Sequence, residues 1–175
     1  MKIVLNGCYG GFNLSYEAMA LYLHARNKEA FFYVDIPTWD EFTLVDRKYK
    51  RITLAEAQEN KSHFIYCTTE DQGEILNEFP RDVVNFRDIE RTDPILVSVV
   101  ETMGSAAASG RYAELIVEEI PDGTLYKIDY YDGVESLITQ DDDDWQMASH
   151  RPQDTSITHR IQNMWETIRP TKEDK

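Results

Sequence analysis

Three glycines near the start of the chain form a loop at residues 7–12 that could bind a ligand. An apolar run at 3–5 predicts a strand before the loop, and Ser15 predicts the N-cap of a helix after it. Backbone N–H groups in such a loop, together with the positive end of a helix, can hold a phosphate group. The candidate ligand-binding residues are those of the loop, the capping serine and two arginines that could neutralise a phosphate: Asn6, Gly7, Cys8, Tyr9, Gly10, Gly11, Ser15, Arg91 and Arg111.

A purely structural role for this loop stays open, because its spacing matches neither a Walker loop nor a dinucleotide fingerprint. In that interpretation the loop is a tight turn from strand to helix, with Tyr9 and Phe12 packed in the core. A bulky residue at Gly10 distinguishes the two, since it should abolish ligand binding and leave the fold intact if the loop is a binding site.

Cys8 lies in the same loop and would be a nucleophile if a helix end or a histidine stabilised its thiolate. The histidines have no recognisable partner spacing, and Cys8 is better explained as a small buried residue, like Cys67 in a predicted strand. Cysteines and histidines do not cluster as zinc ligands do, and the aspartates at 141–144 lack the alternating ligands of a Ca²⁺ loop. No catalytic residue, metal or cofactor is therefore expected.

The net charge of −14 disfavours direct binding to nucleic acid, because such a field repels phosphate backbones. Acidic residues in the second half could instead imitate a DNA backbone, or they could simply keep the protein soluble. The acidic positions in question are Glu114, Glu118, Glu119, Asp122, Asp129, Asp132, Glu135 and the run 141–144. Aromatic residues could stack on bases or build the core: Tyr9, Phe12, Tyr126, Tyr130, Tyr131 and Trp145.

These residues must be positioned by helices and strands. The pattern of helices and strands predicts an α+β fold, with a small mixed, mainly antiparallel sheet and helices packed mostly on one face. Predicted helices lie at 15–24, 53–60, 93–103 and 156–169, and predicted strands at 2–6, 30–36, 42–45, 63–68, 113–120 and 125–131. Pro37 is expected to end its strand, and the turn at 121–123 to join the last two strands. Residues 1–138 should form the core domain, and 139–175 an acidic turn and a C-terminal helical segment within that domain or beside it.

Two stretches of the chain resemble a family of uncharacterised proteins of tailed bacteriophages and prophages. The first is Met1-Lys2-Ile3-Val4-Leu5-Asn6 with Cys8-Tyr9-Gly10-Gly11-Phe12. The second runs from 91 to 135 and includes Asp93-Pro94, Val117-Glu118-Glu119-Ile120-Pro121-Asp122 and Tyr131-Asp132-Gly133-Val134-Glu135. The resemblance implies a viral accessory protein and favours a role against host defences.

We therefore expect a non-enzymatic phage accessory protein that binds a host factor or a host signalling nucleotide and so blunts a bacterial defence. One alternative is an acidic DNA mimic that binds a host nuclease or repressor, and another is an enzyme that modifies or hydrolyses a nucleotide. The partner would be a host protein or a small phosphate-bearing molecule, and a homo-oligomer stays open. Without an apolar run long enough for a membrane helix or a secretory signal, the expected location is the host cytoplasm, where two cysteines stay reduced.

Overall fold

A computed structural model describes residues 1–40, 43–60 and 64–140, and within these ranges the protein has the predicted α+β fold. The acidic run at 141–144, Trp145 and the helix predicted at 156–169 lie outside the described residues. The elements in chain order are β1 (Lys2–Asn6), α1 (Tyr16–Ala25), β2 (Phe31–Asp40), β3 (Thr43–Ile52), α2 (Leu54–Glu59), β4 (Ile65–Thr68), β5 (Ile75–Leu76), a 3₁₀ turn (Phe86–Asp88), α3 (Pro94–Met103), α4 (Ser105–Ala108), β6 (Leu115–Glu119), β7 (Tyr126–Tyr131) and β8 (Val134–Thr139).

The described strands form three antiparallel sheets rather than one: β1 with β6, β7 with β8, and a four-stranded sheet in the order β4-β2-β3-β5. The predicted pairing of the strands at 113–120 and 125–131 is wrong, because β6 pairs with β1 and β7 pairs with β8. Asp132 and Gly133 both have positive φ, as a two-residue hairpin turn requires. This short turn brings β8 back beside β7 and leaves β6 free to pair with β1.

Pro37 does not end β2, which continues to Asp40. Past Val34, β4 no longer pairs with β2, so the missing N–H of Pro37 removes no bond from that side of the ladder. The predicted edge strand at 42–45 is the start of the longer β3. Because β3 and β4 both pair antiparallel with β2, they run parallel to each other on its two sides, and α2 lies between them in the chain.

The β1–β6 ribbon has apolar residues on both faces and lies at the centre of the core. Val4, Leu115 and Val117 belong to the main cluster with α1, α3 and the four-stranded sheet. On the opposite face, Ile3 and Leu5 belong to a second cluster with Ile120 and the partly buried Ile116, Ile128 and Leu137 of the ribbon and the β7–β8 hairpin. Each fully buried aliphatic side chain contributes about 1.5–3 kcal/mol, and the second cluster is the one that holds the hairpin on the ribbon.

Helix starts agree with the local sequence signals. Ser15 and Thr53 accept hydrogen bonds as N-caps of α1 and α2, and Asp93 caps α3 ahead of Pro94. Burial acts to raise the pKa of the Asp93 carboxyl, but hydrogen bonds from Tyr22, from the backbone of Ile95 and from Arg26 outweigh it and lower that pKa below its ordinary value. None of the helices in the described ranges is both long and apolar enough to cross a membrane.

Candidate functional site

Asn6, at the end of β1, ties three segments of the chain together. Its buried side-chain amide donates to the carbonyl oxygens of Cys8 and Gly133, both at 2.6 Å, and its Oδ1 accepts from the backbone N–H of Glu114 at 2.8 Å. The glycine loop, the hairpin turn and the entry to β6 therefore meet at one side chain. We call this region, residues 6–12 with Arg91, Glu135 and Gly133, the glycine junction. The amide of Asn6 has no capacity left for a ligand.

Close backbone contacts fill the space beside the glycine loop. Gly10 has a φ of +147°, and a Cβ atom there would overlap the carbonyl oxygen of Tyr112. A Cβ atom on Gly133 would lie 2.7 Å from the amide nitrogen of Gly10 and 2.6 Å from that of Gly11. The hairpin turn thus lies directly against the amides that were expected to face a phosphate. Gly7 donates its own N–H to the carbonyl oxygen of Glu114 at 2.8 Å.

Arg91 forms a buried ion pair with Glu135 beneath the loop. Its Nη2 lies 2.7 Å from Oε1 of Glu135, and its Nε donates to both carboxylate oxygens. Only 14% of the Arg91 side chain and 7% of the Glu135 side chain are exposed. The guanidinium group also lies 3.5 Å from the centre of the Phe12 ring and donates to the carbonyl oxygen of Ile89 at 2.7 Å. Arg91 is therefore already engaged inside the protein.

Ser15 and Arg111 lie on the outer side of the same region. Ser15 caps α1 and donates its hydroxyl to the carbonyl oxygen of Ala107 at 2.7 Å. The exposed Arg111 lies 5.1 Å from the centre of the Tyr112 ring. Burial raises the pKa of Tyr16, and the charge of Arg111 opposes this rise, which places Arg111 near the start of α1. Of the two predicted arginines, Arg111 is exposed and Arg91 is buried.

The sulfur of Cys8 faces oxygen atoms of two neighbouring residues. Its Sγ lies 3.5 Å from the carbonyl oxygen of Tyr112 and 3.7 Å from Oδ1 of Asn6, and both are hydrogen-bond acceptors. Burial raises the pKa of the second thiol, Cys67, to about 12. Within the described ranges, no three His, Cys, Asp or Glu side chains are arranged to hold a metal ion.

Three exposed tyrosines surround the glycine junction. The exposed fraction is 70% for Tyr9, 65% for Tyr112 and 74% for Tyr131. We call these residues, with Arg111, the tyrosine surface. The prediction that Phe12 is buried is confirmed, whereas the prediction that Tyr9 packs in the core is wrong. The underside of the loop is already filled by Phe12 and Arg91, so Tyr9 lies on the outer side.

Sequence reasoning missed a second region, on the outer side of the four-stranded sheet. The rings of Tyr49, Tyr66 and Phe79 meet edge to face, with centroids 4.9–5.9 Å apart. Asp35, opposite Tyr49 in the ladder, accepts from Arg47 with Oδ2 at 2.8 Å. We call these four residues, Asp35, Tyr49, Tyr66 and Phe79, the aromatic face. Because they come from three strands and a loop, no local motif in the sequence could have indicated them.

Comparisons with known proteins add no further assignment. No model of a protein family matches this chain, and neither a curated protein nor a solved structure is significantly similar to it.

Proposed function

We propose that this protein is a non-enzymatic phage accessory protein that binds a host protein through its tyrosine surface and so interferes with a bacterial defence. The observation that carries the proposal is the exposure of Tyr9, Tyr112 and Tyr131 around one rigid junction, with Arg111 among them. Tyrosine and arginine dominate the binding energy of many protein interfaces, and rigid tyrosines lose little entropy on binding. The viral setting is supported by the resemblance of the two sequence stretches.

A protein partner is favoured over a signalling nucleotide by the state of the polar groups beneath the loop. A nucleotide phosphate needs free N–H donors and a free cation. Here the amides of Gly10 and Gly11 lie against Gly133, and Arg91 is paired with Glu135. The enzyme alternative has less support still, because the oxygens beside the Cys8 sulfur are amide oxygens of Tyr112 and Asn6, which cannot serve as a general base.

The test compares a triple variant with a matched control. Tyr9→Ser, Tyr112→Ser and Tyr131→Ser together remove the tyrosine surface, whereas Leu21→Ser and Leu125→Ser remove exposed apolar side chains elsewhere. Wild-type protein is used to capture a partner from lysate of the bacterial host, and the purified partner is then titrated against all three proteins. We expect the triple variant to bind at least about 100-fold more weakly, since hot-spot residues contribute about 2 kcal/mol or more each. Equal affinities of the triple variant and the control would refute the proposal.

A DNA mimic remains the second candidate, because most of the predicted acidic positions that the structure describes are exposed. Glu114, Glu119, Asp122, Asp129 and Asp132 are exposed, whereas Glu118 is half-buried and Glu135 is buried in its ion pair. Charge reversal at Glu119 and Asp129 tests this candidate. A mimic should lose affinity on reversal and with rising salt, whereas binding through tyrosines should depend only weakly on salt.

A further inference from the structure

The pairing of the strands places the aromatic face on one side of the four-stranded sheet. Side chains of directly paired residues lie on the same side of a sheet. Asp35 pairs with Tyr49, and Tyr33, two residues before Asp35, pairs with Tyr66. Asp35, Tyr49 and Tyr66 therefore share the outer side, away from the main core around Phe32.

A loop after β4 brings the third ring to this side. The backbone N–H of Gln72 donates to the hydroxyl of the fully buried Tyr33 at 2.7 Å, and Asp71 forms an ion pair with Arg51 of β3. These contacts hold the start of the loop on the sheet. Phe79, farther along the same loop, then lies 5.6 Å from Tyr49 and 4.9 Å from Tyr66, measured between ring centres.

The carboxylate of Asp35 is only half satisfied. Asp35 is 4% exposed, and no hydrogen-bond donor in the described part of the chain reaches its buried Oδ1. Oδ2 is occupied by Arg47. Burial raises the pKa of the Tyr66 hydroxyl, and the charge of Asp35 raises it further, which places the carboxylate close to that ring. A buried acceptor without a donor destabilises the fold, more so if it is charged, so a ligand that supplies a donor recovers that energy.

We propose that the aromatic face binds a primary ammonium group, the side chain of a lysine in a basic segment of a partner protein. Aromatic rings attract cations through their negative faces, and a carboxylate oxygen is a strong acceptor for a charged N–H donor. The net charge of −14 attracts basic partners over a longer range.

A lysine fits this site better than an arginine. Guanidinium groups bind carboxylates best through two parallel hydrogen bonds, and Arg47 already occupies Oδ2. A single free oxygen suits the compact ammonium group, which binds as a point charge. Phe79 is the outermost of the three rings, with 54% of its surface exposed. Because Oδ1 is buried, the ammonium group reaches it only when a neighbouring side chain moves, and the Phe79 ring is the most exposed of the three.

The test uses n-butylammonium chloride as the probe in an NMR titration of the full chain, at constant ionic strength. We expect saturable shifts of the backbone signals of Asp35, Tyr49 and Tyr66. Asp35→Asn should weaken binding about tenfold or more, because it removes a hydrogen bond between charged groups. Asp46→Asn, which removes the same charge from an exposed position on β3, should change affinity less than about twofold. Tetramethylammonium chloride, which has no N–H donor, should bind more weakly than n-butylammonium.

Three results would overturn this inference: no saturable shift in the wild type, equal affinity in Asp35→Asn, or equal binding of tetramethylammonium. Phe79→Ala is the second variant if Asp35→Asn does not fold, since its ring is exposed, and unchanged affinity in Phe79→Ala would also count against the site. None of these substitutions touches the tyrosine surface. The two proposals can therefore fail separately.

Discussion

In the glycine junction the buried charges of Arg91 and Glu135 satisfy each other, whereas in the aromatic face no donor from the described residues reaches one oxygen of Asp35. Both regions bury a carboxylate beside aromatic rings. The junction adds three backbone partners, from Asn6, Arg87 and Ile89, so its polar groups form a closed set. Polar groups that satisfy one another stabilise the fold and offer little to a ligand. A buried acceptor without a donor costs stability until a partner supplies the donor.

The sequence favoured the glycine loop as a ligand site, whereas the comparison favours the aromatic face. The glycine loop has the composition of a phosphate-binding loop, yet Gly10 is needed for a close contact with the backbone of Tyr112. The aromatic face has no motif, yet it combines rings, a buried charge and an unused acceptor. Local composition indicates which conformations the backbone can adopt. Only the packed structure shows which polar groups remain available to a partner.

Replacing Gly10 should have the largest effect on stability. Gly10→Ala places a Cβ against the backbone of Tyr112 in a conformation that side chains rarely adopt, so we expect a loss of about 4 kcal/mol or more, or no folding. Gly11→Ala is the matched control, because nothing lies within 4 Å of its Cβ, and only the backbone strain at φ +87° remains, about 1 kcal/mol. Urea unfolding measures both. The expectation that a bulky residue at Gly10 leaves the fold intact is therefore withdrawn, and equal losses in the two variants would contradict the close contact.

Neutralising the buried carboxylate should lower the free energy of unfolding more in the glycine junction than in the aromatic face. Glu135→Gln leaves the buried Arg91 without its counter-charge, and we expect a loss of about 3 kcal/mol. Asp35→Asn leaves only the half-exposed Arg47 unpaired, and we expect a change of less than about 1 kcal/mol. The measurement is the free energy of unfolding at neutral pH. If Asp35→Asn proved as costly as Glu135→Gln, Asp35 would be a structural charge and the contrast between the regions would be lost.

Alkaline pH should destabilise the protein through Cys67 in β4. Its pKa is raised from 9.0 to about 12 in the folded state, so its contribution to stability is complete below the unfolded pKa and is lost as pH rises towards 12. Over two pH units this amounts to about 2–3 kcal/mol. Cys67→Ala should reduce the fall in unfolding free energy between about pH 9 and 11 by that amount. An identical fall in the variant would show that Cys67 ionises in the folded protein as readily as in the unfolded chain.

The smallest effect concerns the two thiols, one in the glycine junction and one in the sheet that carries the aromatic face. Cys8, in the junction, is partly exposed, and Cys67, in the four-stranded sheet, is buried. At about pH 8 a thiol reagent should modify one group per folded chain, and Cys8→Ser should abolish this reaction. Two thiols per chain should react after unfolding in urea. Rapid reaction of two thiols in the native protein would mean that the sheet opens more easily than its packing indicates.

Elements with local signals were predictable. Ser15 caps the helix it was predicted to cap, and the helices predicted to start at Thr53 and Asp93 have these residues as their caps. The apolar residues of β1 and β6 lie in strands. The buried Phe12 was also among the expected alternatives. The end of the strand at Pro37 and the pairing partner of β6 were predicted wrongly. Both depend on which strand lies alongside in the fold, and residues adjacent in sequence do not show this.

By itself the sequence determined the α+β class, the starts of the helices and the strong negative charge. The helix starts follow from hydrogen bonds within a few residues, and the charge follows from composition. Only the tertiary structure decided that Arg91 meets Glu135 and that Asp35 lies opposite Tyr49 of the aromatic face. Such contacts join residues tens of positions apart, and they form because burial of the apolar faces chooses which strands pack together.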